Sequence, residues 1–166
     1  MVDEVSLFLH GMEEQKSRHT AAVGAATPHT KGLIKEKIQA EGHFEGKRIL
    51  LADDDERSVF ALQSVLEQAG FQVSIGRNGL KALEAYRADK DIDLILMDIM
   101  MPKMDGYQAI RAIRQEVHGQ EVPIIALTAK AMKEDRDKCL AAGANDYMTK
   151  PIDVEKLMTL LRVWLA

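Results

Sequence analysis

Seven side chains suited to polar chemistry stand directly after short apolar runs. Asp53, Asp54, Asp55 and Glu56 follow Ile49-Leu50-Leu51-Ala52, and Asp98 follows Leu94-Ile95-Leu96-Met97. Thr128 follows Ile124-Ile125-Ala126-Leu127, and Lys150 comes just after Asp146-Tyr147-Met148. If the apolar runs are strands of one parallel sheet, these side chains meet at its carboxyl edge, where open α/β sheets bind ligands. Carboxylates, a hydroxyl and an ammonium then converge. Several carboxylates within a few ångströms repel one another at neutral pH, so the cluster calls for a cation. Oxygen ligands select magnesium or calcium; the chain has no EF-hand-type calcium loop, and a few protein oxygens completed by water and phosphate suit Mg²⁺. An aspartate beside Mg²⁺ can act as a nucleophile and form an aspartyl phosphate, with Lys150 and Thr128 holding the phosphoryl oxygens. Such transfer depends on in-line positioning and preplaced charge, and needs no separate strong base.

The elements that must position these groups are legible from residue 47 onward. The pattern predicts strand then helix, repeated five times: Arg48 to Ala52 and helix 56–69, Gln72 to Ile75 and helix 79–88, Leu94 to Met97 and helix 105–117, Ile124 to Leu127 and helix 131–142, Asp146 to Met148 and helix 153–165. The first, third and fourth strands are apolar throughout, as strands covered by helices on both faces must be. Gly70 and Gly143 stand where left-handed helix ends are wanted, and Asp105 and Asp153 where N-caps are. The class is α/β, doubly wound, with a parallel sheet. The last helix carries an apolar stripe of Val154, Leu157, Leu161 and Trp164, most of it expected to be core, while Leu160 and Val163 lie off it.

Composition narrows the function classes. The chain has 166 residues, 46% hydrophobic and 29% charged, which suits one domain plus an appendage. A net charge of −4 gives no basic field for nucleic acid. The single cysteine, Cys139, excludes an intrachain disulfide framework and reads as a small half-buried residue. No apolar run approaches membrane-spanning length, and Met1-Val2-Asp3-Glu4 is acidic where a signal peptide is basic, so a cytoplasmic location without membrane contact is expected. Residues 1–45 read as a helix and flexible linker, and residues 46–166 as the domain. Val5, Phe8, Leu9 and Met12 share one helical face over residues 2–15, a weak helical turn set spans Leu33 to Ala40, and His10, His19, His29 and His43 lack the spacing of helical metal ligands.

Four fragments in order resemble the receiver domain of two-component response regulators: Ile49 to Asp55, Met97-Asp98-Ile99-Met100-Met101-Pro102-Lys103-Met104-Asp105-Gly106, Leu127-Thr128-Ala129, and Tyr147-Met148-Thr149-Lys150-Pro151. The resemblance covers residues 47–166 and implies the flavodoxin-like strand order 2-1-3-4-5 with five helices. It implies that Asp98 is the phosphoacceptor and that Asp53 and Asp54 hold Mg²⁺, Asp54 directly and Asp53 through water, with the backbone carbonyl of Met100 completing the protein ligands. Thr128 and Lys150 match the family's hydroxyl and lysine, Tyr147 the aromatic that switches with the threonine, and Lys150-Pro151 a peptide bond that is usually cis there. The implied function is a phosphoryl-accepting switch in a phosphorelay. Its expected partners are a histidine kinase or a histidine phosphotransfer protein, with no direct nucleic-acid contact and a monomer or weak dimer as the assembly.

Residues 124–132 and 146–151 resemble the receivers of hybrid sensor histidine kinases in particular, and residues 1–15 look like the tail of a preceding domain, the last helix of another receiver. A fragment of a hybrid kinase, itself a protein histidine kinase, is therefore expected, with a stand-alone single-domain regulator as the alternative. As an isolated domain it would do no more than phosphorylate and dephosphorylate itself. Two departures touch the lifetime of the phosphorylated state. Met100 and Lys130 occupy positions that tune water attack in the family, and a thioether cannot orient a water, so slow self-dephosphorylation is expected. The rival from another class is a phosphohydrolase of the haloacid dehalogenase type. Its nucleophile motif wants Asp-x-Asp-x-Thr or Val, whereas this chain reads Asp53-Asp54-Asp55-Glu56-Arg57.

Overall fold

The computed structural model describes residues 44–130 and 132–165. The expected N-terminal helix, the turns over Leu33 to Ala40 and the four N-terminal histidines lie outside the described residues. From Arg48 the chain alternates strand and helix: β1 Arg48–Ala52, α1 Glu56–Gln68, β2 Gln72–Gly76, α2 Gly79–Ala88, β3 Leu94–Asp98, α3 Gly106–Arg114, β4 Ile124–Thr128, α4 Lys133–Ala142, β5 Asp146–Thr149 and α5 Val154–Leu165. Every neighbouring pair of strands is parallel, and the sheet runs β2-β1-β3-β4-β5. This is the doubly wound α/β fold with five strands and five helices.

The continuous apolar runs of β1, β3 and β4 are explained by burial on both faces. Ile49, Leu51, Leu94, Leu96, Ile125 and Leu127 pack with Val59, Leu62 and Leu66 of α1 and with Leu157, Met158 and Leu161 of α5. Leu50, Ala52, Ile95, Met97, Ile124 and Ala126 pack instead with α2, α3 and α4. Each fully buried Leu or Ile contributes about 2 kcal/mol relative to exposure, so the two layers hold the strand ends rigidly in place. Phe44 is buried in the α1–α5 layer and stacks on Phe71 with ring centroids 4.6 Å apart. The apolar stripe of α5 is mainly core, with Met158 added to it, and Val163 is left exposed.

Several details differ from the sequence expectation, each for a local reason. β3 and β4 extend one residue further, to Asp98 and Thr128, because each is paired at its end to the neighbouring strand. α3 stops at Arg114 instead of 117: the amides of Gln115 and Glu116 bond three residues back, tightening the last turn, and His118 takes φ 64°. α4 starts at Lys133 instead of 131, since Met132 is still extended and offers no side-chain cap. Cys139 is fully buried, where half-burial was expected, because α4 lays it into the core beside Ala142. The caps are as expected at Asp105, which forms a reciprocal box with Gln108, and at Gly143, which takes φ 116°.

Arg114 ties the amino-terminal side of the sheet together. Its guanidinium donates to the carbonyls of Gly119, Val122 and Gly143 and to Asn145 Oδ1, all between 2.6 and 2.9 Å. Asn145 Oδ1 also accepts from the Ile124 amide at 2.9 Å, so one side chain joins α3 to the starts of β4 and β5. Arg114→Met would keep the apolar stem and leave these acceptors short of donors. We expect it to cost about 2 kcal/mol, read as a lower urea midpoint with an unchanged slope.

Candidate active site

Backbone pairing sets where each polar side chain emerges. The Asp53 amide donates to the Gly76 carbonyl at 3.1 Å and the Lys150 amide to the Thr128 carbonyl at 2.8 Å, so both residues continue the sheet's ladder one step past their strands. Asp98 and Thr128 are the last residues of β3 and β4. The carboxyl edge thus presents Asp53, Asp98, Thr128 and Lys150 from four adjacent strands.

Asp53 is fully buried and Asp98 nearly so. The Lys150 ammonium lies 2.9 Å from Asp53 Oδ2 and 3.2 Å from Asp98 Oδ2. The second oxygen of each carboxylate is also engaged: Asp53 Oδ1 accepts from the Asp55 amide at 2.9 Å, and Asp98 Oδ1 from the Met100 amide at 3.2 Å. Asp54 stands exposed at the rim, and one carboxylate oxygen each from Asp53, Asp54 and Asp98 lie within 4.8 Å of one another. This all-oxygen set fits a hard divalent cation such as Mg²⁺. Asp55 is turned to another task, capping α1 through the Arg57 amide and the Ser58 hydroxyl.

The titration behaviour follows from this crowding. Burial, and then the negative charge of Asp53, push the Asp98 carboxyl up to about 6, against the pull of Lys150 and the Met100 amide. Burial works against the Lys150 charge, but its hydrogen bonds and attraction to Asp53 and Asp98 outweigh that and hold the ammonium above the ordinary lysine range.

Thr128 is turned toward its own loop, where its hydroxyl accepts from the Lys130 amide at 3.2 Å and donates to the Lys130 carbonyl at 3.3 Å. Tyr147 is half-buried and pairs in register with Ala126, two residues before the Thr128–Thr149 pair and therefore on the same side of the sheet. The Arg136 guanidinium lies 6.0 Å from the centre of its ring. The Lys150–Pro151 peptide is cis. Met100 projects into solvent, 74% exposed.

Residues 49–162 match the family model of the response regulator receiver domain. The chain belongs to the response regulator receiver family. A 120-residue stretch of the sensor histidine kinase GacS of Pseudomonas protegens is 41% identical, covering 70% of this chain and 13% of that protein. The transcriptional regulatory protein CpxR of Escherichia coli is 39% identical over 115 residues, covering 69% of this chain and 47% of that protein. The chain therefore spans less than half the length of these curated relatives. Among solved structures, the receiver domain of the sensor histidine kinase PA1611 of Pseudomonas aeruginosa PAO1 is 39% identical with a TM-score of 0.68, covering 72% of this chain and 98% of that one. That structure is described as having a magnesium ion coordinated in its active site cleft. Receiver membership leaves no support for the dehalogenase-type reading.

The receiver brings Asp53, Asp54, Asp98 and Lys150 into one cluster, with Thr128 beside it through the backbone. Sequence reasoning missed the contacts that shape the loop after Asp98. Asn78 caps α2 by accepting from the Lys81 amide at 2.9 Å, and Gly79 bonds across to that loop. The Asn78-Gly79 pair was the available signal, since such pairs mark chain reversals and helix starts. Nothing local marks Lys103, which takes φ 67°.

The raised Asp98 has a calculable consequence for stability. Its folded value lies above the unfolded one, so the native protein binds the proton more readily; this contribution is full below about 4 and is lost as pH rises through about 6. Asp98→Asn removes the charge and should be more stable than the parent at neutral pH in Mg²⁺-free buffer. Urea unfolding at several pH values should show that advantage shrinking toward the acidic end.

Proposed function

We propose that Asp98 accepts a phosphoryl group from a phosphohistidine of a histidine kinase or a histidine phosphotransfer protein. The observation that carries this reading is the single ammonium of Lys150 held between Asp53 and Asp98, with Asp54 beside them at the rim. A carboxylate oxygen of Asp98 attacks phosphorus as the bond to the imidazole nitrogen breaks; the bonding pair stays on that nitrogen and, with the other ring nitrogen protonated, the donor histidine leaves as neutral imidazole while Asp98 becomes an acyl phosphate. Lys150 is placed to hold an equatorial phosphoryl oxygen without moving far. Asp53, Asp54, Asp98 and the Met100 carbonyl are the residues that would hold Mg²⁺, which when bound neutralises the carboxylates and draws phosphate oxygens into its shell.

Thr128 takes the switching role in this account. To reach a phosphoryl oxygen its hydroxyl must give up the bond to the Lys130 carbonyl, which frees the loop leading to α4. Tyr147, on the same side of the sheet, would then pass the change to the surface of β5 and α5. Exposed Phe60 on α1, with Met100 and Met132 in the loops at the carboxyl edge, gives the phosphoryl donor an apolar rim to dock on.

A hybrid sensor histidine kinase is the parent we favour, supported by the similarity to GacS and to the PA1611 receiver. Residues 1–45 would then be the tail of a preceding domain and its linker, ahead of the receiver at 46–166. A cytoplasmic setting belongs to the same proposal, and no helix among the described residues is long and apolar enough to cross a membrane.

Acetyl phosphate and Mg²⁺ should convert the full chain to a species heavier by one phosphoryl group in the intact mass spectrum. Asp98→Ala should give none, and Lys150→Met should slow formation by about a hundredfold. An adduct that persists in Asp98→Ala, or one that forms without Mg²⁺, would contradict the assignment. The adduct should also decay over many minutes once the donor is removed, because the Met100 thioether orients no water; loss within seconds would count against that part.

A further inference from the structure

The loop between β3 and α3 carries the Met100 carbonyl, and three backbone contacts fix its path. The Gly106 amide closes its base on the Ile99 carbonyl at 2.9 Å. Near its far end the Met104 amide donates to the Pro102 carbonyl at 2.8 Å, with Lys103 between them at φ 67°. That is a γ-turn centred on a residue with a side chain, a strained form that persists only where its surroundings hold it. The Met104 carbonyl, at the exit of this turn, accepts from the Gly79 amide at 3.0 Å.

Gly79 is the first residue of α2, and the space for a side chain there is already taken. A Cβ would run into the Met104 carbonyl oxygen and stand 2.7 Å from the Met104 Cβ and Cγ. Because the first obstacle is backbone, no rotamer change removes it, and the loop itself would have to move. Little slack separates Met104 from Met100: Met101 is buried in the core, Pro102 has its φ fixed by its ring, and Lys103 is committed to the turn.

We propose that Gly79 is a positioning residue for the metal-binding carbonyl of Met100. Its bare α-carbon lets the start of α2 seat against the loop, and its amide holds the strained turn that sets the carbonyl's direction. The inference rests on the Mg²⁺ site proposed above. It gives α2, which contributes no side chain to the acidic cluster, a place in metal binding.

The test is Mg²⁺ affinity by isothermal titration calorimetry on the full chain, beside the melting temperature. Gly79→Ala is compared with Gly119→Ala, where a Cβ would likewise strike a backbone oxygen, that of Ile113, but past the end of α3 at the amino-terminal edge of the sheet, away from the loop. Gly79→Ala should weaken Mg²⁺ binding by about tenfold or more, whereas Gly119→Ala should lower the melting temperature and keep the affinity within about twofold. Equal affinity in Gly79→Ala and the parent, or an equal loss in Gly119→Ala, would overturn the proposal. Should Gly79→Ala not fold, the parent chain decides. By linkage, Mg²⁺ must slow hydrogen exchange at the Gly79 amide by several-fold more than at the Lys81 amide, and identical slowing would overturn the proposal. A parent that binds no Mg²⁺ contradicts the metal site and takes this inference with it. A parent that binds Mg²⁺ beside an unaffected Gly79→Ala contradicts the inference alone.

Discussion

One lysine ammonium, held 2.9 Å from Asp53 and 3.2 Å from Asp98, is the interaction on which the carboxyl edge depends. Two carboxylates at the ends of adjacent central strands are buried there, and burying such groups is costly unless a positive charge lies close by. Two strand spacings, about 10 Å, separate β5 from β3, so only a long side chain can reach across the end of β4. Lys150 does so from a position set by its amide bond to the Thr128 carbonyl. The strand order, the parallel register and the two apolar layers all serve to place that ammonium.

The compensation that Lys150 provides is incomplete. Asp98 remains pushed up to about 6 because burial and Asp53 outweigh Lys150. A fold tuned only for stability would pack an apolar residue at the end of β3. Functional sites are where such local conflicts persist, held by a well-satisfied remainder. That remainder is visible in the caps, in the Arg114 hydrogen bonds and in the apolar layers. In the account proposed here, the conflict is relieved by a divalent cation and by conversion of the Asp98 carboxylate to an acyl phosphate.

The fold was legible in the sequence because burial on both faces leaves an unmistakable mark: Leu94 to Met97 and Ile124 to Leu127 have no polar residue to confuse the period. The cluster was legible for a related reason, since Asp53, Asp98 and Thr128 each stand immediately after a strand signal and Lys150 one residue further on. Helix ends were less so. α3 ends early because of His118 and the tightened turn, and α4 starts late because residues after Thr128 remain in the loop that its hydroxyl engages. Such ends are set by tertiary contacts more than by propensity. The γ-turn at Lys103 and the close approach of Gly79 to Met104 depend on two segments meeting in space, and no local pattern encodes them. Arg114 was hidden for the same reason, its acceptors being carbonyls that any sequence supplies.

The most direct test of the account is the titration of the Asp98 carboxyl itself, followed by carbon NMR on the full chain with and without Mg²⁺. The account predicts a midpoint near 6 in the absence of the metal and a clear downward shift when Mg²⁺ is added, as the cation takes up the charge that Lys150 leaves uncompensated. A midpoint in the ordinary carboxylate range that Mg²⁺ leaves unmoved would contradict it.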